Sequence, residues 1–111
     1  MERIHYANDS LLTGHAIAKA VVDYAEALAK NNTSGSMEIP VRHEDGSLGR
    51  ANLLLGPASQ VVTETEESDL DDVVDDELVA RLRALIGDLA PARPQGEPVS
   101  EQTDTRDYDD L

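Results

Sequence analysis

The 111-residue chain has no cysteine, no phenylalanine and no tryptophan, and only three tyrosines. Without cysteine no disulfide can staple the fold, and thiol chemistry is excluded. Without large aromatics the core must be built from Leu, Val, Ile and Ala. Basic residues are scarce as well, with nine Lys and Arg against 23 Asp and Glu, for a net charge of −14. That balance argues against direct nucleic-acid binding, which needs Lys and Arg clusters to neutralise phosphate, and it disfavours anionic membranes. No apolar run approaches a membrane span, and the start, MERIHYANDS, has no basic stretch followed by an apolar one. The expectation is a soluble, cytoplasmic protein of one domain at most.

What is present is periodic. Between Thr13 and Asn32, Ile17, Val21, Tyr24 and Leu28 recur at helical steps, and Lys19, Asp23, Glu26 and Lys30 recur on the opposite side. One stripe packs and the other is wet. The alanines between them let a neighbouring backbone come close, so this helix suits a place across a small sheet. Thr13 reads as its N-cap, and Asn31 and Asn32 as its close.

The rest of the first two thirds reads as strand. Arg3 to Ala7 alternates, Asn8 and Asp9 supply turn residues, and Leu11 and Leu12 resume an apolar strand, so residues 3–13 form a hairpin. Met37, Ile39 and Val41 alternate with polar positions, and Pro40 places that strand at an edge or a bulge because proline cannot donate to a ladder. Asp45 and Gly46 mark a tight turn, Arg50 to Leu55 returns, and residues 60–66 make a further strand whose buried face the pattern leaves open.

From Glu64 to Glu77, nine of fourteen residues are acidic and none is basic, so self-repulsion extends much of the run. A second amphipathic helix follows, with Val74, Leu78, Leu82, Leu85, Ile86 and Leu89 as its apolar stripe. Glu77 and Arg81 stand in the favourable i,i+4 order, and Pro91 ends the helix. Residues 91–111, rich in Pro, Gln, Thr and Asp, read as a disordered acidic tail.

Chemistry-bearing patterns are thin. His5, His15 and His43 share no metal-ligand spacing, so no metal ligands are assigned. Ser10 and Ser59 lie in no nucleophile elbow, and no catalytic residues are assigned. The loop Gly46 to Arg50 matches neither a P-loop nor a dinucleotide fingerprint, and no cofactor is expected. DLDDVVDDE resembles a calcium loop in charge alone, lacking the shaping glycine and the spaced terminal Glu.

The fold class expected is α+β: a small, mostly antiparallel sheet of four to five short strands in the order β-β-α-β-β-β, covered by one long helix, then a C-terminal helix and a tail. Residues 1–67 form the core, 68–90 the acidic segment with its helix, and 91–111 the tail. The function expected is a small non-enzymatic interaction or assembly module, a homodimer with a further protein partner, using Leu78, Leu82, Leu85, Ile86 and Leu89 as its contact stripe. The alternative is an acidic protein that occupies a basic partner in the manner of a nucleic-acid mimic, and a small enzyme comes third. An enclosed pocket in which one of the three histidines meets a carboxylate would favour the enzyme.

Overall fold

These patterns resolve into seven elements over residues 1–89, the part of the chain that the computed structural model describes. They are β1 (Glu2–Tyr6), β2 (Asp9–Thr13), α1 (His15–Lys30), β3 (Gly35–Arg42), β4 (Leu48–Leu55), β5 (Val61–Thr65) and α2 (Asp76–Leu89). The strands make one antiparallel sheet in the order β4-β3-β2-β1-β5, which is the expected α+β class. No helix among the described residues is long and apolar enough to cross a membrane. The expected tail, and the expected stop at Pro91, lie outside the described residues.

Two hairpins meet at a corner. β1 pairs with β2 along the whole length of both strands, and β3 with β4 likewise, but β2 and β3 join at the single pair Leu12 and Arg42. The first turn falls at Ala7 and Asn8, with Ala7 at φ 56°, so Asp9 belongs to β2 and not to the turn. In the second turn Gly46 takes φ 89°, and its N–H donates to the His43 carbonyl at 2.9 Å.

Pro40 is not on an edge strand, because β3 lies between β4 and β2. The His43 N–H donates to the Ser47 carbonyl at 2.9 Å, one step beyond the Arg42 and Leu48 pair. Antiparallel ladders alternate, so Val41 and Ile39 turn their backbone groups toward β4, and Arg42, Pro40 and Glu38 turn theirs toward β2. Just past Arg42 the β2 ladder has stopped. The missing proline N–H therefore faces a side where none is required, and the Thr13 hydroxyl donates to the Pro40 carbonyl at 2.7 Å instead.

That bond removes Thr13 from the capping role expected of it. Gly14 is the N-cap of α1 and no side chain of its own caps it, whereas Asp72 of the acidic segment accepts from the His15 N–H at 3.3 Å. At the other end the asparagines act as expected. Asn32 takes φ 51°, the Asn31 amide donates to the Ala27 carbonyl at 2.8 Å, and the Thr33 N–H reaches back to Leu28 at 3.1 Å.

The core lies between one sheet face and α1. Ile4, Met37, Ile39, Val41, Leu53 and Leu55 meet Ile17, Ala20, Val21, Tyr24 and Leu28 there, all buried. Each large apolar side chain contributes about 1.5–3 kcal/mol by leaving water. Tyr24 crosses so close to Gly35 that a Cβ there would strike its hydroxyl. Val61 and Thr63 are the half-buried positions of β5, which settles its inward face, and Val62 points out.

The second helix keeps its expected extent and differs in its first apolar residue and its ion pair. It begins at Asp76, after Asp75, whose carboxylate accepts from the Leu78 N–H at 3.0 Å as an N-cap does. Val74, expected in the stripe, is 69 % exposed, and Val73 is buried in its place. α2 packs chiefly on α1. Its cation Arg83 pairs with Asp23 of α1 at 2.7 Å, whereas no Glu77–Arg81 pair forms among the described residues. Val73, Leu78 and Leu82 belong to the same hydrophobic cluster as Ile4 and Ile39, so these three residues join the core that residues 1–67 begin.

Candidate functional site

The sheet has a second face, and alternation dictates what it carries. With Ile4, Ile39 and Leu53 turned inward, the outward positions are Arg3 and His5 on β1, Ser10 and Leu12 on β2, and Glu38, Pro40 and Arg42 on β3. β4 adds Leu48, Arg50, Asn52 and Leu54, and β5 adds Val62 and Glu64. On this face Leu48, Leu54 and Val62 are 60 %, 64 % and 58 % exposed. All three fall in the run Gly46 to Thr63, which has one arginine and no acid in a chain of net charge −14.

Leu54 and Val62 line the same open hollow of about 720 Å³, with Tyr6, Pro57, Ser59 and His5 around it. Its wall from Gly56 to Gln60 is held by two local bonds, the Gly56 N–H to the Ser59 hydroxyl at 2.9 Å and the Ser59 N–H to the Gly56 carbonyl at 3.1 Å. The Tyr6 hydroxyl donates to the Leu54 carbonyl and ties the tip of the first hairpin to the end of the second.

Two of the three histidines meet carboxylates. His5 Nε2 lies 2.7 Å from Glu64 at the rim of that hollow, and His15 Nδ1 lies 3.0 Å from Glu2. The bond to His15, followed by that to the Thr65 hydroxyl, holds the buried Glu2 carboxyl below its usual range. An imidazole fixed by a carboxylate is half of a general-base arrangement, but the hollow beside His5 is open to water rather than enclosed. His43 lies against Gly49. The described residues hold no group of three or more His, Asp or Glu placed to share a metal ion.

Arginines gather at the other end of the outer face. Arg3, Arg42 and Arg50 border a hollow of about 700 Å³ with Ser10, Leu12 and Leu70. Among the described residues Arg3 and Arg50 are already paired with carboxylates, and Arg42 is not. Arg3 makes a two-pronged contact with Glu66 at 2.6 and 2.8 Å, which holds that carboxyl low, and Arg50 lies 3.2 Å from Glu38. Arg42 donates to the carbonyls of Gly46 and Asp71 at 2.8 and 3.4 Å, and its Nε is buried without a partner.

The stripe read as a contact surface divides. Leu78 and Leu82 are buried in the core of their own chain, at 3 % and 1 % exposure, and Leu85, Ile86 and Leu89 are half-buried at its margin. In this single chain α2 buries its two best apolar residues in cis, in the cluster that α1 and the sheet share. The exposed residues of β4 and β5 were not singled out from sequence. A signal was there, since Leu54 alternates with Leu53 and Leu55 and must face away from them.

Comparison with known proteins leaves this geometry to stand alone, for no family model, no curated protein and no solved structure matches the chain.

Proposed function

We propose that the chain is a small non-enzymatic interaction or assembly module, acting in the cytoplasm, that meets a protein partner through the part of the outer sheet face left exposed at Leu54 and Val62. The observation that carries this reading is the convergence of Leu54 and Val62, each more than half exposed, on one hollow whose lining has no acid, with Glu64 paired to His5 at its rim. Exposed apolar side chains that share a concavity are what a partner's side chains cover. Contact of this kind persists or strengthens as salt rises, since it does not depend on opposite charges.

The test is affinity capture from the cells of origin, comparing the native chain with Val62→Lys by mass spectrometry at low and high salt. Partners retained at high salt and lost with Val62→Lys are expected. Capture that survives the substitution, or that collapses with salt, would count against an apolar contact.

A second reading has its own support. The acidic run, expected to be extended by self-repulsion, is pinned by Glu66 on Arg3, by the Asp71 carbonyl on Arg42, by Asp72 on the first turn of α1 and by buried Val73. Carboxylates held in place can oppose the charges of a basic partner. Binding of that kind weakens steeply with salt and leaves Val62 indifferent.

A further inference from the structure

β4 closes one side of the sheet with an eight-residue strand that no other strand covers. By the alternation that places the Ser47 carbonyl toward β3, the residues Leu48, Arg50, Asn52 and Leu54 point their N–H and C=O groups to the free side. Edge strands of this length are ordinarily blunted by charges, proline or a bulge. β4 has a single charge, Arg50, and no proline, and it displays Leu48 and Leu54 to solvent.

The strand's fit to itself selects the occupant, and charge limits where that occupant can approach. A basic protein would be drawn to the many acids elsewhere on the chain. A second copy, itself at −14, is repelled from those surfaces and can approach along the run from Gly46 to Thr63, where neither copy has a carboxylate.

We propose that β4 pairs antiparallel with β4 of a second copy about a two-fold axis at Ala51, joining two five-stranded sheets into one. This rests on the reading of the exposed part of the outer sheet face as an interaction surface and names one partner for it. The register follows from which groups face outward. Hydrogen-bonded pairs must join Leu48, Arg50, Asn52 and Leu54 among themselves. An axis at Arg50 would set two guanidinium groups directly opposite, which is unfavourable. An axis at Ala51 sets Arg50 opposite Asn52 twice and brings Leu48 of each copy beside Leu54 of the other, covering the exposed leucines. It also sets methyl against methyl at the close, non-hydrogen-bonded pair. The Tyr6 hydroxyl already holds the Leu54 carbonyl, so the ladder has its strength in the two central Arg50 and Asn52 pairs.

The absence of cysteine makes the register directly testable in the full chain. Ala51→Cys is expected to form a disulfide-linked dimer under mild oxidation, and Arg50→Cys to do so at least about tenfold more slowly, since its side chain emerges on the other face and is offset from its own copy. In sedimentation equilibrium the native chain is expected to dimerise at moderate salt. Asn52→Pro, which deletes only an outward N–H, and Leu54→Lys, which changes a side chain already in water, should each abolish the dimer over the same concentration range. Leu54→Lys keeps the test valid should proline disturb the strand. A native chain that stays monomeric at every concentration, a dimer indifferent to Leu54→Lys, or faster cross-linking at Arg50 than at Ala51 would overturn the proposal. A monomer that still loses captured partners with Val62→Lys would overturn self-pairing alone and leave the interaction module standing.

Discussion

Replacing Leu82 by alanine asks how firmly α2 is held by its own chain. Leu82 is 1 % exposed and sits in the cluster that runs through α1 to the sheet. Truncating a buried leucine forfeits its transfer free energy and leaves a cavity, at a cost of about 2–5 kcal/mol. Domains of this size have roughly 5–15 kcal/mol in all, so a loss of about 3 kcal/mol lowers the melting temperature by roughly 12–24 °C. The natural control is Val74→Ala, because Val74 belongs to the same apparent stripe in sequence yet is 69 % exposed. Its truncation is expected to cost under about 0.5 kcal/mol. Urea titrations of both variants, with the slope of the transition unchanged, measure the contrast. If the two substitutions cost the same, or if Leu82→Ala costs less than about 1 kcal/mol, then α2 does not rest on α1 as described and its leucines are free for a partner.

Two further outcomes follow from the contacts of the acidic segment and the paired carboxylates. A methyl group on Gly14 would strike the Val73 carbonyl, so Gly14→Ala is expected to displace the linker and cost about 1–3 kcal/mol; an unchanged urea midpoint would show that the linker does not lie there. Glu2, Asp23 and Glu66 are held below the usual carboxylate range, Glu2 by His15 and Thr65, Asp23 by Lys19 and Arg83, and Glu66 by Arg3. The folded state therefore binds fewer protons than the unfolded chain, and the stabilisation is complete above the unfolded value of about 4 and is lost as pH falls through it toward the lower folded values. Urea midpoints measured downward from about pH 6 should decline in that window, and a flat profile would mean that these pairs contribute nothing in solution.

Period and punctuation were legible in the chain itself. The stripe Ile17, Val21, Tyr24 and Leu28 is a property of spacing along the sequence, and it is the buried stripe of α1. The turn at Asp45 and Gly46 and the close at Asn31 and Asn32 are equally local, since each depends on what one or two residues do to their own backbone. Tertiary structure decided what depends on distant partners. Thr13 has a capping side chain, but the Pro40 carbonyl, far along the chain, claims its hydroxyl, and Asp72 caps in its stead. Pro40 reads as an edge signal because a missing N–H is usually fatal to an inner strand, and only the corner between the hairpins supplies an inner strand with an unladdered side. Val73 and Val74 are chemically identical neighbours, and the choice between them turns on where the linker crosses Gly14. Leu48 and Leu54 look like core residues for the same reason, because hydropathy records a side chain's preference for leaving water, whereas which face of a sheet has a helix over it is settled only when the chain has folded.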